Sequence, residues 1–127
     1  MTEKFGTVLN CIDGRTQLPA NSWMKQQYGL EFIDTVTQPG IDKVLADGED
    51  EHTQAIREKA EVSVNAHGSD IIAVVGHHDC AANPVDKSDH MQHITQAMET
   101  VRSWGLPVRV VGLWIDEAWQ VHPVENA

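Results

Sequence analysis

Residues 71–80 read Ile-Ile-Ala-Val-Val-Gly-His-His-Asp-Cys and carry the strongest fold signal in the chain. The first five of them form a continuous apolar run, which is typical of a strand buried on both faces of a parallel sheet. Gly76 ends that run, and histidine and cysteine side chains follow it directly. The stretch therefore predicts a central strand with reactive groups at its carboxyl end.

Three more segments have strand character: Phe5 to Asn10, Phe32 to Thr37 and Val108 to Trp114. Each is short and rich in β-branched or aromatic residues, and turn or helix signals follow the first two. Together with Ile71 to Val75 they predict a sheet of about four strands.

The stretches between these strands carry helix signals. Pro19 and Gly29 bracket a short helix over Ala20 to Tyr28, since proline suits a first turn and glycine a stop. Residues 50–66 and the region of residues 91–101 have apolar side chains at helical spacing. Strands that alternate with helices predict an α/β fold with a parallel sheet and helices on both faces. If the chain winds outward to the second strand and then crosses back, the strand order is 2-1-3-4.

Composition restricts the possible partners. The 127 residues are the size of one domain, so we expect a single domain over residues 1–127. Nine Lys plus Arg against 19 Asp plus Glu give a formal charge of −10, which argues against nucleic acid or an anionic membrane as partner. The longest strongly apolar run is far shorter than a bilayer span, and the N-terminus lacks a signal-peptide pattern. We therefore expect a cytoplasmic protein with reduced thiols.

The two cysteines occupy corresponding places in the predicted fold. Cys11 follows the first strand and Cys80 the third, so both lie where open α/β sheets bind ligands. His77 precedes Cys80 by three residues, a spacing that lets both side chains reach one metal ion. Two thiolates and one imidazole suit Zn²⁺ and leave a fourth position for water or substrate. Two buried thiols or a disulfide are the alternatives.

Asp13 and Arg15 lie in the loop that follows Cys11. Asp13 could close the metal site as a fourth ligand or stand beside it. An Arg15 fork on one carboxylate oxygen would keep Asp13 ionised and oriented. The free oxygen could then accept a hydrogen bond from a hydroxide on the zinc. The alternative is a structural ion pair.

Other polar and aromatic residues carry weaker signals. His78 could replace His77 as ligand, although His77 has the better spacing. His90 and His93 lie one helical turn apart and could shuttle protons or bind a metal, but we expect them to face solvent. Trp119 belongs to a short tail and is a candidate subunit contact.

These motifs, taken together and in order, resemble a known family. Cys-x-Asp-x-Arg at residues 11–15 and Gly-His-x-x-Cys at residues 76–80 resemble the β-class carbonic anhydrases. Val111 to Asp116 is similar to the fourth-strand pattern of that family, and the likeness spans about residues 5 to 118. The chain departs from the family at residues 37–40, Thr-Gln-Pro-Gly, and at Ala81 and Ala82 after the second cysteine.

The resemblance implies an enzyme that reversibly hydrates CO₂ to bicarbonate with a zinc-bound hydroxide. It implies one zinc per chain on Cys11, His77 and Cys80, with Asp13 and Arg15 as the catalytic dyad. It also implies a homodimer or larger homo-oligomer. Two other functions remain open: hydrolysis of carbonyl sulfide or carbon disulfide on the same zinc, and a non-catalytic zinc protein with a closed site.

Overall fold

Strands and helices alternate along the part of the chain that the computed structural model describes, residues 3–48 and 50–124. Every predicted strand and helix is present, with boundaries that differ by a few residues. The elements are β1 (Phe5–Asn10), α1 (Gln17–Tyr28), β2 (Phe32–Thr37), α2 (Ile41–Ala46), α3 (Glu51–His67), β3 (Ile71–His77), α4 (Lys87–Ser103), β4 (Arg109–Ile115) and β5 (Val121–Val124).

The elements form one five-stranded sheet in the order β2-β1-β3-β4-β5. The first four strands are parallel, and β5 pairs antiparallel with β4. The predicted α/β class and the order 2-1-3-4 are thus confirmed, and β5 adds a strand that was not predicted. Its four residues include Pro123, which suits an edge position because, among the described residues, β5 pairs with a strand on one side only. The short helix α2 was also missed, since six residues are too few for a periodic signal.

Helices cover both faces of the sheet, but unequally. On one face, α1 packs through Ala20 and Met24 against inward-facing residues of β1, β3 and β4. On the other face α2, α3 and α4 share a larger apolar core with the same strands. All seven residues of β3 are buried, as the continuous apolar run predicts for a central strand.

Two glycines let α4 lie close to the sheet. A Cβ added at Gly76 would lie 2.8 Å from Ile94 Cδ1, and one at Gly112 would lie 2.6 Å from Met98 Sδ. Real Cβ atoms do not approach neighbours so closely, so a larger residue at either position would force the Ile94 or Met98 side chain to shift. The middle of α4 therefore packs closely on β3 and β4.

Local sequence sets the helix ends. The Asp50 and Asp86 side chains accept hydrogen bonds from Thr53 N and Asp89 N and so cap α3 and α4. Gly68 ends α3 in the left-handed region with φ of 69°. Within residues 3–48 and 50–124, no helix has both the length and the apolar character needed to cross a bilayer.

Candidate metal and catalytic site

Three potential metal ligands converge at the carboxyl ends of β1 and β3. Cys11 directly follows β1, His77 is the last residue of β3, and Cys80 lies three residues further along. Because β1 and β3 are neighbours with β2 and β4 on their outer sides, this is the switch point of the sheet. The three side chains offer donor atoms that all lie within 4.8 Å of one another, and all three residues are buried.

The sulfur geometry suits a metal and not a disulfide. Cys11 Sγ and Cys80 Sγ are 4.0 Å apart, and both cysteines are free. A disulfide would need about 2.05 Å between the sulfurs. Two thiolates on a tetrahedral zinc, each bonded at about 2.3 Å, stand roughly 3.8 Å apart. The observed separation is therefore close to what zinc requires.

His77 presents one ring nitrogen without a partner. Its Nδ1 lies 2.7 Å from the carbonyl oxygen of His78, to which it donates a hydrogen bond. Its Nε2 is buried and has no hydrogen-bond partner among the described residues. Metal-binding histidines typically donate one ring N–H to a carbonyl or carboxylate and use the other nitrogen as ligand. The donor set of Cys11, His77 and Cys80 thus fits a zinc ion.

The proximity of the two thiols makes them unequal. A hydrogen bond from Cys80 lowers the pKa of Cys11 to about 4, with smaller contributions from His77 and from nearby backbone, although burial opposes the shift. The same contact raises the pKa of Cys80 well above its usual range. Burial acts to lower the pKa of His77, but the Cys11 thiolate and the His78 carbonyl raise it overall. The cluster therefore holds protons that a bound cation would displace.

Asp13 stands beside this cluster and is held by Arg15. Arg15 Nη2 is 2.7 Å from Asp13 Oδ2, Arg15 Nε is 3.0 Å from Oδ1, and the backbone N of Arg15 is 2.9 Å from Oδ1. The guanidinium holds the pKa of Asp13 at about 2. We expected the fork to contact one carboxylate oxygen, and this expectation was wrong, because Arg15 reaches both. Each oxygen has a second lone pair, so the carboxylate can still accept a hydrogen bond from a ligand.

Polar residues that the sequence analysis did not identify brace the loop between Cys11 and α1. Asn10 Oδ1 accepts a hydrogen bond from the backbone N of Cys11 at 2.8 Å, and Gln17 Nε2 donates to the Cys11 carbonyl at 2.7 Å. Thr16 Oγ1 donates to the carbonyl of Asp13 at 2.7 Å. In the sequence, only the position of Asn10, Thr16 and Gln17 at the two ends of this loop could have indicated that they support it.

Gly40 lets the segment after β2 approach the loop after Cys80. Its φ is 60°, and an added Cβ would lie 3.2 Å from the backbone of Ala82. A side chain at residue 40 would therefore be strained and crowded. The segment that begins α2 thus lies directly against the loop that follows Cys80.

A second group of potential ligands behind this loop forms a hydrogen-bonded network. Asp42, His90 and His93 offer donor atoms within 4.8 Å of one another. His90 Nδ1 lies 2.6 Å from Asp42 Oδ2, which is a short hydrogen bond. Asn83 Nδ2 donates to Asp42 Oδ1 at 3.1 Å and to His93 Nδ1 at 3.0 Å. Asn83 and His90 thus link the three side chains into a polar brace, and His90 Nε2 remains buried without a hydrogen-bond partner among the described residues.

The predicted exposure of the two α4 histidines was wrong for His90. Its side chain is 1% exposed and packs against the Trp114 ring, with the ring centroids 5.3 Å apart. His93 is partly buried. Helical periodicity placed Met91 and Ile94 toward the core. It gave no indication that His90 would be buried and hydrogen-bonded to Asp42.

Comparison with known proteins identifies the family. A family model described as "Putative carbonic anhydrase" matches residues 1–125. The chain belongs to this carbonic anhydrase family. The resemblance noted from the Cys-x-Asp-x-Arg and Gly-His-x-x-Cys motifs is thereby confirmed. A search of functionally characterised protein sequences found no significant match.

Solved structures of β-carbonic anhydrases share the fold. A structure from a study of two tetrameric β-carbonic anhydrases of the filamentous ascomycete Sordaria macrospora has a TM-score of 0.54 and 12% identity, with 98% of this chain and 82% of that chain covered. The β-carbonic anhydrase CafA of the fungal pathogen Aspergillus fumigatus has a TM-score of 0.51 and 12% identity, with 98% and 77% covered. At this identity the likeness establishes the fold alone.

Proposed function

We propose that the chain, as one zinc domain over residues 1–127, is a carbonic anhydrase that reversibly hydrates CO₂ to bicarbonate. The observation that carries the proposal is the convergence of Cys11, His77 and Cys80 beside an ionised carboxylate, where the buried His77 Nε2 has no partner among the residues that the structure describes. Family membership supports the same reaction class.

Cys11, His77 and Cys80 would hold one zinc ion per chain. Zinc in a site with three protein ligands supplies a Lewis acid that lowers the pKa of water toward neutrality, so that a nucleophile for CO₂ forms near pH 7. The backbone carbonyl of His78 fixes the tautomer of His77, and the buried surroundings keep the thiolates from competing hydrogen bonds with bulk water.

Asp13 would orient the attacking oxygen. With its pKa held at about 2 by Arg15, its carboxylate is ionised at any physiological pH and can only accept hydrogen bonds. Accepting the O–H of the nucleophile would direct a lone pair toward the carbon of CO₂, which is the geometric control that a bimolecular reaction needs. Arg15 would keep the carboxylate in that orientation through its two-point contact.

We also propose a homodimer or larger homo-oligomer in a reducing compartment such as the cytoplasm. One of the structural relatives is described as tetrameric. Ile12 is 64% exposed and Leu18 is 75% exposed, and both flank the Asp13 loop, where a partner subunit would cover them. Thiolate ligation requires that Cys11 and Cys80 stay reduced.

The test is stopped-flow CO₂ hydration by zinc-loaded protein, by chelator-treated protein and by the treated protein after zinc is returned. We expect hydration to depend on zinc and to be restored with it. A zinc-loaded protein that hydrates CO₂ no faster than buffer would refute the proposal. Carbonyl sulfide turnover measured in parallel separates the hydrolase alternative, which predicts that this substrate reacts faster than CO₂.

A further inference from the structure

The Arg15 guanidinium has a second set of contacts besides Asp13. Its Nη1 lies 3.2 Å from Asp79 Oδ2, and its Nη2 lies 3.2 Å from the Asp79 carbonyl oxygen. The guanidinium also lies over the Trp119 ring, with Arg15 Cζ 4.5 Å from the ring centroid. The Arg15 guanidinium thus contacts three residues: Asp13, Asp79 and Trp119.

Asp79 and Trp119 share an unusual backbone conformation. Their φ angles are 58° and 59°, and they are the two non-glycine residues with positive φ in the described part of the chain. Aspartate tolerates this region moderately well, and a tryptophan rarely occupies it. Such a conformation strains the backbone of any residue with a Cβ, and glycine would avoid that strain. Strained residues of this kind cluster at functional sites, and here both contact the same guanidinium.

The surrounding structure holds both residues in place. The backbone N of His78 donates to the carbonyl of Ile115 at 2.9 Å, which ties the Asp79 loop to the end of β4. Trp119 lies in a turn, and its backbone N donates a hydrogen bond to the carbonyl oxygen of Asp116 at 2.9 Å. Asp116 Oδ1 also accepts from the backbone N of Gln120 at 3.0 Å. The carboxyl ends of β3 and β4 therefore bring the two residues to Arg15.

Ion-pair stability does not explain the contact between Arg15 and Asp79. The Arg15 and Asp79 side chains are 47% and 69% exposed, and exposed ion pairs contribute little to folding. A strained backbone that supports a weak surface pair would be a net cost to the fold. The contacts do, however, leave the guanidinium little freedom to turn away from Asp13.

We propose that Asp79 and Trp119 are positioning residues that lock the Arg15 guanidinium, and through it the Asp13 carboxylate, in the orientation the reaction needs. This inference rests on the proposed function for its catalytic consequence. The restriction of the Arg15 side chain by Asp79 and Trp119 can be measured without enzyme turnover.

The primary test follows the Arg15 Nε–H by NMR in the wild type, Asp79→Gly and Trp119→Gly. Glycine relieves the positive φ at Asp79, so we expect Asp79→Gly to melt at or above the temperature of the wild type. Trp119→Gly also loses the packing of its ring against the core, so we expect it to fold but to melt at a lower temperature. In the wild type the Arg15 Nε–H resonance should be shifted by the Trp119 ring current and exchange slowly with solvent. Exchange should become at least about tenfold faster in Asp79→Gly, and the ring-current shift should vanish in Trp119→Gly. Asp79→Asn and Trp119→Phe are the matched controls, because each keeps an acceptor oxygen or a ring, and both should stay near the wild type.

The kinetic test is a double-mutant cycle with Arg15→Ala. Asp79→Gly should lower kcat for CO₂ hydration about tenfold at unchanged zinc content, and it should have no further effect in the Arg15→Ala background. An unchanged Arg15 resonance in both glycine variants, or a kcat loss that persists without Arg15, would overturn the inference. If the wild type hydrates no CO₂, the proposed function fails, and the NMR result alone decides whether Asp79 and Trp119 hold Arg15.

Discussion

Cys11 Sγ lies 4.0 Å from Cys80 Sγ, although 69 residues separate the two cysteines in the chain. The parallel pairing of β1 with β3 accounts for this closeness, because the carboxyl ends of neighbouring parallel strands lie at the same edge of a sheet. His77, which ends β3, completes the group from the same edge.

Replacing either cysteine should abolish tight zinc binding. Cys11→Ser and Cys80→Ser each remove one thiolate, and we expect zinc affinity to fall by more than the roughly 10- to 100-fold that loss of an outer-shell partner costs. Zinc content measured after dialysis against a weak chelator reports the loss. His78→Ala is the control, since that side chain is exposed and should leave zinc bound. Full zinc retention in both serine variants would contradict the ligand assignment.

Asp13→Asn should separate metal binding from catalysis. The variant keeps the size of the side chain but loses the charge that Arg15 binds and presents an N–H₂ where an acceptor is needed. We expect zinc content to stay unchanged while kcat for CO₂ hydration falls by roughly 100-fold, the cost of losing orientation at a reacting centre. Asp47→Asn, in an exposed ion pair with Lys43, should retain full activity. Unchanged turnover in Asp13→Asn would remove Asp13 from the mechanism.

Activity should rise from neutral toward mildly alkaline pH, and Asp13 should not be the cause. The pKa of Asp13 is lowered from 3.8 to about 2, so its bond to Arg15 is complete above about pH 4 and is lost only as the pH falls toward 2. Two thiolates offset the charge of zinc, so water activated there should be less acidic than at a site of three imidazoles. A profile of kcat/KM from pH 6 to 9.5 checks this expectation, and a flat profile would contradict it.

The buried Asp42–His90 pair should matter for stability. Both side chains are at most 3% exposed, and Asp42→Ala would leave His90 and Asn83 without their shared acceptor. Loss of one partner of a buried pair typically costs about 3–5 kcal/mol, so the free energy of unfolding in urea should fall by about that amount. Asp47→Ala removes an exposed ion pair and should cost about 1 kcal/mol or less. Equal losses in the two variants would show that the buried network adds nothing.

Much of the candidate site could be read from residue type and strand position. The apolar run from Ile71 identified the central strand, and its Gly-His-x-x-Cys ending placed His77 and Cys80 at the sheet edge. Asp13 and Arg15 were found because they follow Cys11 at alternating positions in one short loop. These signals depend only on residue type and spacing within a short segment, so they can be read without the structure.

Contacts between distant segments could not be read in this way. Nothing near Trp119 in the sequence indicates that its ring covers Arg15, because the contact depends on a turn after β4 and on a positive φ. Likewise, Asp42 reaches His90 only because α2 and α4 pack together on one face of the sheet. The amino-acid type of each of these residues gives its charge and its hydrogen-bonding groups. It does not give the distant residue that each one will contact.

Sequence patterns alone predicted the α/β alternation, the buried central strand and the set of side chains able to bind zinc, because hydrophobic period and residue chemistry are local properties. Tertiary packing brings Cys11, His77 and Cys80 together and leaves the His77 Nε2 without a partner among the described residues. It also places Arg15 between Asp13, Asp79 and Trp119. Those outcomes depend on strand order and loop conformation, which arise from packing the whole chain around one sheet.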